Sequence, residues 1–472
     1  MKRALSQKNI WEAMPPTLKM LLGGLLRAVP MPYLLGKRFR NTLRFVREAQ
    51  WWSPERYREY QLNALRSICS LAAEKTAYYR RVFSNAGFNA GGLKSVEDMA
   101  LLPTTDKNTI RENLAEMCTR PVENRSVDFC STGGSSGMPL LFYMGRERSA
   151  VEYAYLLASW ERTGYRLGMT MAVLRGHLVH PDRNGFRHEC DPLLKQHYYS
   201  NFHMTDGNVK RYLEHIAGIG NCFLYVYPSS AMALIRCIER NGLRPPQNIC
   251  GVLAESENVY PEVRDRVREV FGARFFSSYG HSEKLVLAAE CEFSTDYHVW
   301  PTYGYFELLD EQGKPVTTPG QRGEIVGTGF INEVVPFIRY RTGDYATYVG
   351  DRCEACGRQH PILRNVEGRW PSGALVTLNG TLISMTALNV HDDTFVHASQ
   401  FQFYQDTPGR AVLRVVPADG FGDEDRLKIQ QNLGRKLDGQ VTFTVELVDA
   451  IPLTPRGKAV YVDQRIKEAL KA

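Results

Sequence analysis

Nine consecutive residues, Ser131-Thr132-Gly133-Gly134-Ser135-Ser136-Gly137-Met138-Pro139, combine glycines, hydroxyls and one proline. Gly133, Gly134 and Gly137 lack a Cβ, so their backbone N–H groups can turn inward around an anion, and the hydroxyls of Ser131, Thr132, Ser135 and Ser136 add donors. No Lys-Ser/Thr pair follows Gly137, so this is not the common nucleotide P-loop. A flexible linker reads the same way in isolation. The strand-like run "LLFYMGRE" directly after it argues for a loop held between structured segments. A second group could hold a metal. Cys353-Glu354-Ala355-Cys356-Gly357 has the form of one zinc knuckle, and Cys291 with His298 offers the other half as Cys-x6-His. Three thiolates and one imidazole would close a tetrahedral structural site and leave no position for water; the alternative is four unrelated residues.

Further candidates lie downstream in a fixed order: Leu253-Ala254-Glu255-Ser256-Glu257, Ser278-Tyr279-Gly280-His281-Ser282-Glu283, Tyr340-Arg341-Thr342-Gly343-Asp344, Val366-Glu367-Gly368-Arg369 and Pro452-Leu453-Thr454-Pro455-Arg456-Gly457-Lys458. Singly, each has an ordinary reading. Glu283 could be a solvated acid, Asp344 a turn residue and Lys458 a surface lysine. Five in one order after a Gly/Ser/Thr loop are a harder coincidence. His177, His180, His188, His197 and His203 also crowd one region and read as polar loop histidines rather than a metal site.

These residues need a frame. The chain has 472 residues, enough for two or three domains, and 43% hydrophobic with 23% charged residues is ordinary for a globular protein. A net charge of +7 comes from 58 bases against 51 acids, so nucleic acid is disfavoured while an anionic small molecule suits a basic cleft. The apolar segment Leu18 to Gly36 is interrupted by Lys19, Arg27, Pro30 and Pro32, which opposes a bilayer span. It reads as an amphipathic helix packed on the domain, with peripheral membrane contact through Lys37, Arg38 and Arg40 as the sharper alternative. No secretory signal is seen, and scattered cysteines fit a reducing, cytoplasmic setting.

Residues 40–85 read as helical, and Thr105 or Asp106 is placed to cap a helix. From 170 to 290 short apolar runs alternate with helical segments, which predicts α/β architecture with a parallel sheet covered by helices. Residues 300–350 switch to short strands between Gly and Pro turns. "GRAVLRVVP", a helix around Asp423–Leu437 and "VTFTVELVDAIP" make a small C-terminal α+β unit.

With these motifs in hand, the chain resembles the adenylate-forming enzymes that activate a carboxylic acid with ATP, and within them the phenylacetate–CoA ligase branch, which includes proteins associated with capsule polysaccharide. The resemblance runs from "YYRRVFSNAGF" and "SVEDMALLPTTDKNTIRENL" to "PLTPRGKAVYVDQRI". It implies a large N-terminal adenylation domain over 1–368 and a mobile C-terminal lid over 369–472. It implies that Thr132, Gly133, Gly134, Ser135, Ser136 and Gly137 close over the ATP phosphates. Ala254 and Glu255 would lie at the adenine-contacting turn, with Tyr279 and Gly280 near adenine. Ser282 would meet the α-phosphate, Glu283 would help hold Mg²⁺, Asp344 would bind the ribose hydroxyls, Arg369 would bind ribose and phosphate, and Lys458 would be the catalytic lysine of the lid. Some members of that branch also carry Cys and His at the places of Cys291, His298, Cys353 and Cys356, which implies structural Zn²⁺.

The implied partners are a small carboxylic acid, ATP and an acceptor. Coenzyme A leads; an amine or hydroxyl acceptor is the rival, and a non-catalytic scaffold is the reading of another class. One departure matters. The family usually has an aspartate just past the Gly-Arg pair, whereas this chain has Trp370-Pro371-Ser372-Gly373, and proline fixes φ where the hinge should turn. That puts the second half-reaction in doubt more than the first. The acid and the oligomeric state stay open, a homodimer being compatible with the sequence.

Overall fold

The computed structural model of the protein describes residues 14, 15, 18, 19, 22, 23, 26, 29–124, 126–132, 140–368, 373–388, 393–452 and 461–466. Gly133, Gly134, Ser135, Ser136, Gly137, Arg369, the Trp370-Pro371 segment and Lys458 therefore lie outside the described residues.

A twelve-stranded mixed sheet organises the chain. From one edge its order is Gly304–Leu309, Arg322–Gly329, Tyr340–Gly350, Ile362–Glu367, Tyr297–Val299, Leu287–Ala289, Phe275–Gly280, Ile249–Ala254, Cys222–Val226, Thr170–Leu174, Gln196–Tyr199 and His188–Asp191. Pairing is parallel from Phe275–Gly280 to Gln196–Tyr199 and antiparallel elsewhere. The α/β expectation for 170–290 therefore holds. The sequence did not foretell that the antiparallel strands continue the same sheet.

Side chains in the parallel half alternate between two cores, as a two-residue period requires. Ala172, Leu174, Leu224, Val226, Val252 and Ala254 pack with Val209, Leu213, Leu234 and Val267 of the helices on one face. Met171, Val173, Phe223, Leu253 and Phe276 pack with Val151, Ala154 and Ala158 of the helix Arg148–Trp160 on the other. Helix Gly36–Ala49 covers that second face through Phe39, Leu43 and Val46, spaced by about one helical turn. Such burial is worth on the order of 1.5–3 kcal/mol per side chain. Of the segment Leu18 to Gly36, expected as an amphipathic helix, the described residues Leu18, Lys19, Leu22, Gly23 and Leu26 are helical and Met31–Leu34 forms a short helix before Gly36–Ala49; the other residues of 18–28 lie outside the described residues. Among the described residues no helix is long and apolar enough to cross a membrane.

Local chemistry starts and stops the helices. Ser53 caps Pro54–Lys75, and Thr76 both ends that helix and caps Ala77–Asn85 by accepting from the Tyr79 N–H at 3.2 Å. Asp106 is the cap of Lys107–Met117, accepting from Thr109 N–H at 2.8 Å. Thr105 instead bridges to Tyr340, exchanging backbone bonds with Arg339 and Arg341 at 2.9 and 2.8 Å.

Beyond residue 373, Ala398–Thr407, Arg410–Pro417, Thr442–Leu447 and Val462–Gln464 form a four-stranded sheet covered by helix Asp423–Leu437. Its core of Phe401, Phe403, Leu413, Val415, Ile429 and Leu433 reaches Phe202 and Tyr227 of the large sheet's side. Asp438, held left-handed at φ 41° at the helix end, pairs with Arg187 at 2.8 Å and His203 at 3.3 Å.

Candidate active site and metal centre

Ligands of open α/β sheets sit beyond the carboxyl ends of the strands. Here Thr170–Leu174, Cys222–Val226, Ile249–Ala254 and Phe275–Gly280 run parallel and deliver Arg175, Tyr227, Glu255 and Tyr279–Gly280 to one edge. Ala254 is buried at the strand's last position. Glu255 accepts the Tyr225 hydroxyl and pairs with Arg175 at 2.6 Å. Arg175 also donates to Ser256 Oγ at 3.2 Å and lies over the Tyr225 ring at 4.2 Å and the Tyr227 ring at 5.1 Å. Burial lowers the pKa of this guanidinium, but Glu255 together with Tyr225 and Tyr227 outweighs it and leaves the pKa raised. Sequence reasoning missed Arg175. Its signal was an arginine directly after the apolar run "MAVL", at a strand's carboxyl end.

Two tyrosine–carboxylate contacts join motifs far apart in the chain. Tyr279 OH donates to Asp344 Oδ2 at 2.8 Å, and Tyr340 OH donates to Glu283 Oε1 at 3.2 Å. Burial pushes the Tyr279 hydroxyl far up, and Asp344 pushes it further, so it stays a donor. Asp344 N–H donates to Thr342 Oγ1 at 3.1 Å, and Thr342 is itself tied to the Ile325 carbonyl at 2.7 Å. The turn carrying Ser282 and Glu283 lies close against Gly304 and Gly329. A Cβ on Gly304 would stand 2.1 Å from the Leu285 oxygen, and one on Gly329 2.6 Å from Leu285 Cδ2. At Gly304 the obstacle is backbone, so glycine is required there, whereas at Gly329 it is the end of the Leu285 side chain, which can move aside. Ser282 is half-buried and Glu283 buried. Thr132 closes the base of the glycine loop, its N–H donating to Leu140 O and its Oγ1 accepting from Leu140 N–H, both at 2.9 Å. The roles suggested for Gly133, Gly134, Ser135, Ser136, Gly137, Arg369 and Lys458 concern residues outside the described set.

The sheet brings the cysteines together. Cys291 follows Leu287–Ala289, His298 lies in the adjacent Tyr297–Val299, and Cys353 and Cys356 sit in the turn between Tyr340–Gly350 and Ile362–Glu367. The donor atoms of Cys291, His298, Cys353 and Cys356 all lie within 4.8 Å of one another. Cys356 Sγ is 3.4 Å from His298 Nε2, while His298 Nδ1 donates to the Asp296 carbonyl at 3.0 Å. That second contact fixes the tautomer that presents Nε2. Cys291 Sγ accepts from the Phe293 and Ser294 N–H groups at 3.4 and 3.2 Å.

Electrostatics fit a cation there. Burial would raise the Cys356 thiol, yet His298 and Arg358 bring it down to about 6. Burial, with added repulsion from Cys356, pushes Cys291 up to about 11. Two buried arginines stand beside the thiols. Burial pulls Arg162 down to about 9, against the opposing pull of Cys356 and Cys291. Arg358 is clamped by Glu292 at 2.6 and 2.8 Å. A divalent ion with three thiolates keeps one negative charge, which these cations would balance.

The histidine-rich region differs from its reading as loop. His188 and His197 stand on adjacent strands, and His215, which sequence reasoning did not single out, stands on helix Asp206–Gly218. Their ligand atoms lie within 4.8 Å of one another.

No protein-family model matches the chain. It is 23% identical over 403 residues to the phenylacetate-coenzyme A ligase of Thermus thermophilus, covering 84% of this chain and 86% of that one. It is also 23% identical over 395 residues to protein CapK of Staphylococcus aureus, covering 80% and 83%. Among solved structures, 2-hydroxyisobutyryl-CoA ligase with 2-HIB-AMP and CoA in the thioesterification state superposes with a TM-score of 0.55 at 21% identity, covering 89% of this chain and 92% of that one. The chain thus shares the fold of this acyl-CoA ligase and is similar in sequence to phenylacetate-coenzyme A ligases and CapK, as the resemblance to adenylate-forming enzymes implies.

Proposed function

We propose that the protein is an ATP-dependent carboxylic acid ligase that forms an acyl-adenylate and passes the acyl group to coenzyme A. The observation that carries this reading is the meeting of Tyr279 with Asp344 and Tyr340 with Glu283, at the strand ends where Arg175 and Glu255 also lie. In the first half-reaction a carboxylate oxygen bonds to the α-phosphorus of ATP, and the bond to the bridging oxygen breaks, releasing pyrophosphate. Both reactants are anionic, so catalysis is chiefly cancellation of repulsion. Asp344 would accept hydrogen bonds from the ribose hydroxyls, a task suited to a two-oxygen acceptor. Glu283 would hold Mg²⁺, which when bound supplies charge neutralisation at the phosphates. The hydroxyl-rich loop from Thr132 to Gly137 would wrap the outer phosphates. Lys458 would arrive as residues 369–472 close as a lid over the domain formed by 1–368, so the charge is supplied in the transition state. In the second half-reaction the thiol sulfur of coenzyme A bonds to the acyl carbon, the acyl–phosphate oxygen bond breaks and AMP leaves.

The donor set Cys291, His298, Cys353 and Cys356 suits structural Zn²⁺, linking the strand that follows the Tyr279 motif to the turn after the Asp344 strand. Transfer to an amine or hydroxyl is the second reading, favoured by Trp370-Pro371 at the hinge place.

The test is acid-dependent ATP–pyrophosphate exchange over aryl, fatty, amino and hydroxy acids, with Lys458→Ala as control. Exchange lost in the variant supports adenylation, and thioester formation on adding coenzyme A separates the two acceptors. No exchange with any acid, together with no ATP binding by titration, overturns the reading.

A further inference from the structure

We propose that His188, His197 and His215 form a second metal site, open to solvent, that takes a borderline divalent ion of the Zn²⁺ class. The site is separate from the cysteine centre and from the residues assigned to ATP, and it does not depend on the ligase reading.

Strand His188–Asp191 pairs antiparallel with Gln196–Tyr199 in the register His188↔Tyr199 and Cys190↔His197. Directly paired residues share a face, so His188 and His197 are diagonal neighbours on one side of this edge hairpin. Helix Asp206–Gly218 brings His215, in its last turn, against that same side. The ring centroids of His188 and His215 are 4.3 Å apart, and those of His188 and His197 are 5.2 Å apart. His188 Nε2 stands 2.9 Å from His197 Nδ1. The Tyr199 hydroxyl is 2.8 Å from His215 Nδ1. Engaging one ring nitrogen in this way orients an imidazole and sets its tautomer, as the supporting contacts of ligating histidines do.

Nitrogen donors about 2.0–2.1 Å from a tetrahedral ion lie roughly 3.4 Å from each other. The observed 2.9 Å pair and the 4.8 Å limit for the whole set bracket that separation. Small side-chain rotations would close the site. Three imidazoles favour Zn²⁺, Cu²⁺ or Ni²⁺ over Mg²⁺ or Ca²⁺, which prefer oxygen donors. Three protein ligands leave a fourth position for water or an exogenous donor. All three histidines are half-buried, so an ion can enter from solvent.

The ion would pin the edge hairpin to helix Asp206–Gly218. Arg187 precedes His188, and both Arg187 and His203 meet Asp438 of the C-terminal unit, so the pinned region borders the surface on which that unit rests.

The experiment titrates Zn²⁺ calorimetrically into the full chain, purified without a metal-affinity tag and washed with a weak chelator that leaves thiolate-held metal in place. The expected result is about one further equivalent with a matching rise in melting temperature. Affinity should fall at least tenfold in both His197→Gln and His215→Gln. Co²⁺ added to the native protein should give visible ligand-field bands without thiolate-to-cobalt charge transfer, a readout that needs no variant. No further equivalent in the native protein, unchanged affinity in either folded variant, or cobalt bands with thiolate charge transfer would each overturn the proposal.

Discussion

The Tyr279 hydroxyl and the Asp344 carboxylate are joined at 2.8 Å, although the residues stand 65 positions apart. The bond links the end of a central parallel strand to an antiparallel strand of the same sheet. It orients the carboxylate assigned to ribose. Asp344→Asn removes the charged acceptor, and hydrogen bonds to charged groups contribute about 1.5–3 kcal/mol. The KM for ATP in pyrophosphate exchange should therefore rise roughly 10- to 100-fold. Tyr279→Phe should cost less, about 1 kcal/mol or several-fold in KM. Equal KM in Asp344→Asn and native enzyme would remove Asp344 from nucleotide binding.

The cysteine centre makes a stoichiometric prediction. About one zinc per chain should persist through tag-free purification, because four protein donors close the site. Cys353→Ser should lose it and melt several degrees lower, since structural metal binding contributes folding free energy. Prolonged strong chelation of the native protein should reproduce the lowered melting temperature. A fully stable, zinc-free native protein is the contrary outcome.

Arg175 and Glu255 form a largely buried ion pair between Tyr225 and Tyr227. Removing one partner of such a pair strands the other charge, at about 3–5 kcal/mol. Glu255→Gln and Arg175→Met should each destabilise the fold strongly by denaturant titration. The double variant should cost less than the sum of the two, and strict additivity would show that the pair is not coupled.

His203 links stability to pH. Burial, aided by Arg187 and opposed by Asp438, lowers it to about 4, while Ser200 Oγ contacts its Nδ1 at 2.8 Å. The ring is neutral in the fold, whereas an unfolded histidine titrates near 6.5. Below that value the unfolded chain binds the extra proton, so stability falls as pH drops from about 6.5 toward 4. One proton is worth about 1.4 kcal/mol per pH unit in that window. His188, lowered to about 4 chiefly by burial, adds to the same slope. His203→Gln should flatten the decline of melting temperature by up to one proton's share; parallel curves for native and variant would exclude the linkage.

The sequence by itself determined the elements and their punctuation. Apolar runs ending at Leu174, Val226 and Ala254 alternate with helices opened by Pro228 and Pro261, and this local pattern suffices to announce a helix-covered parallel sheet. The spacing of Cys353 and Cys356 likewise marks a candidate metal knuckle, because its pattern is written over four consecutive residues. Tertiary structure decided what pairs across the chain. Arg175 looked like one arginine among many until the sheet set it beside Glu255 and between two tyrosine rings. His215 lay in a helix with no local mark until packing carried it to the edge hairpin bearing His188 and His197. Helix and strand periods are set by neighbours a few residues apart. Strand order and side-chain convergence depend on long-range pairing, which no local window contains.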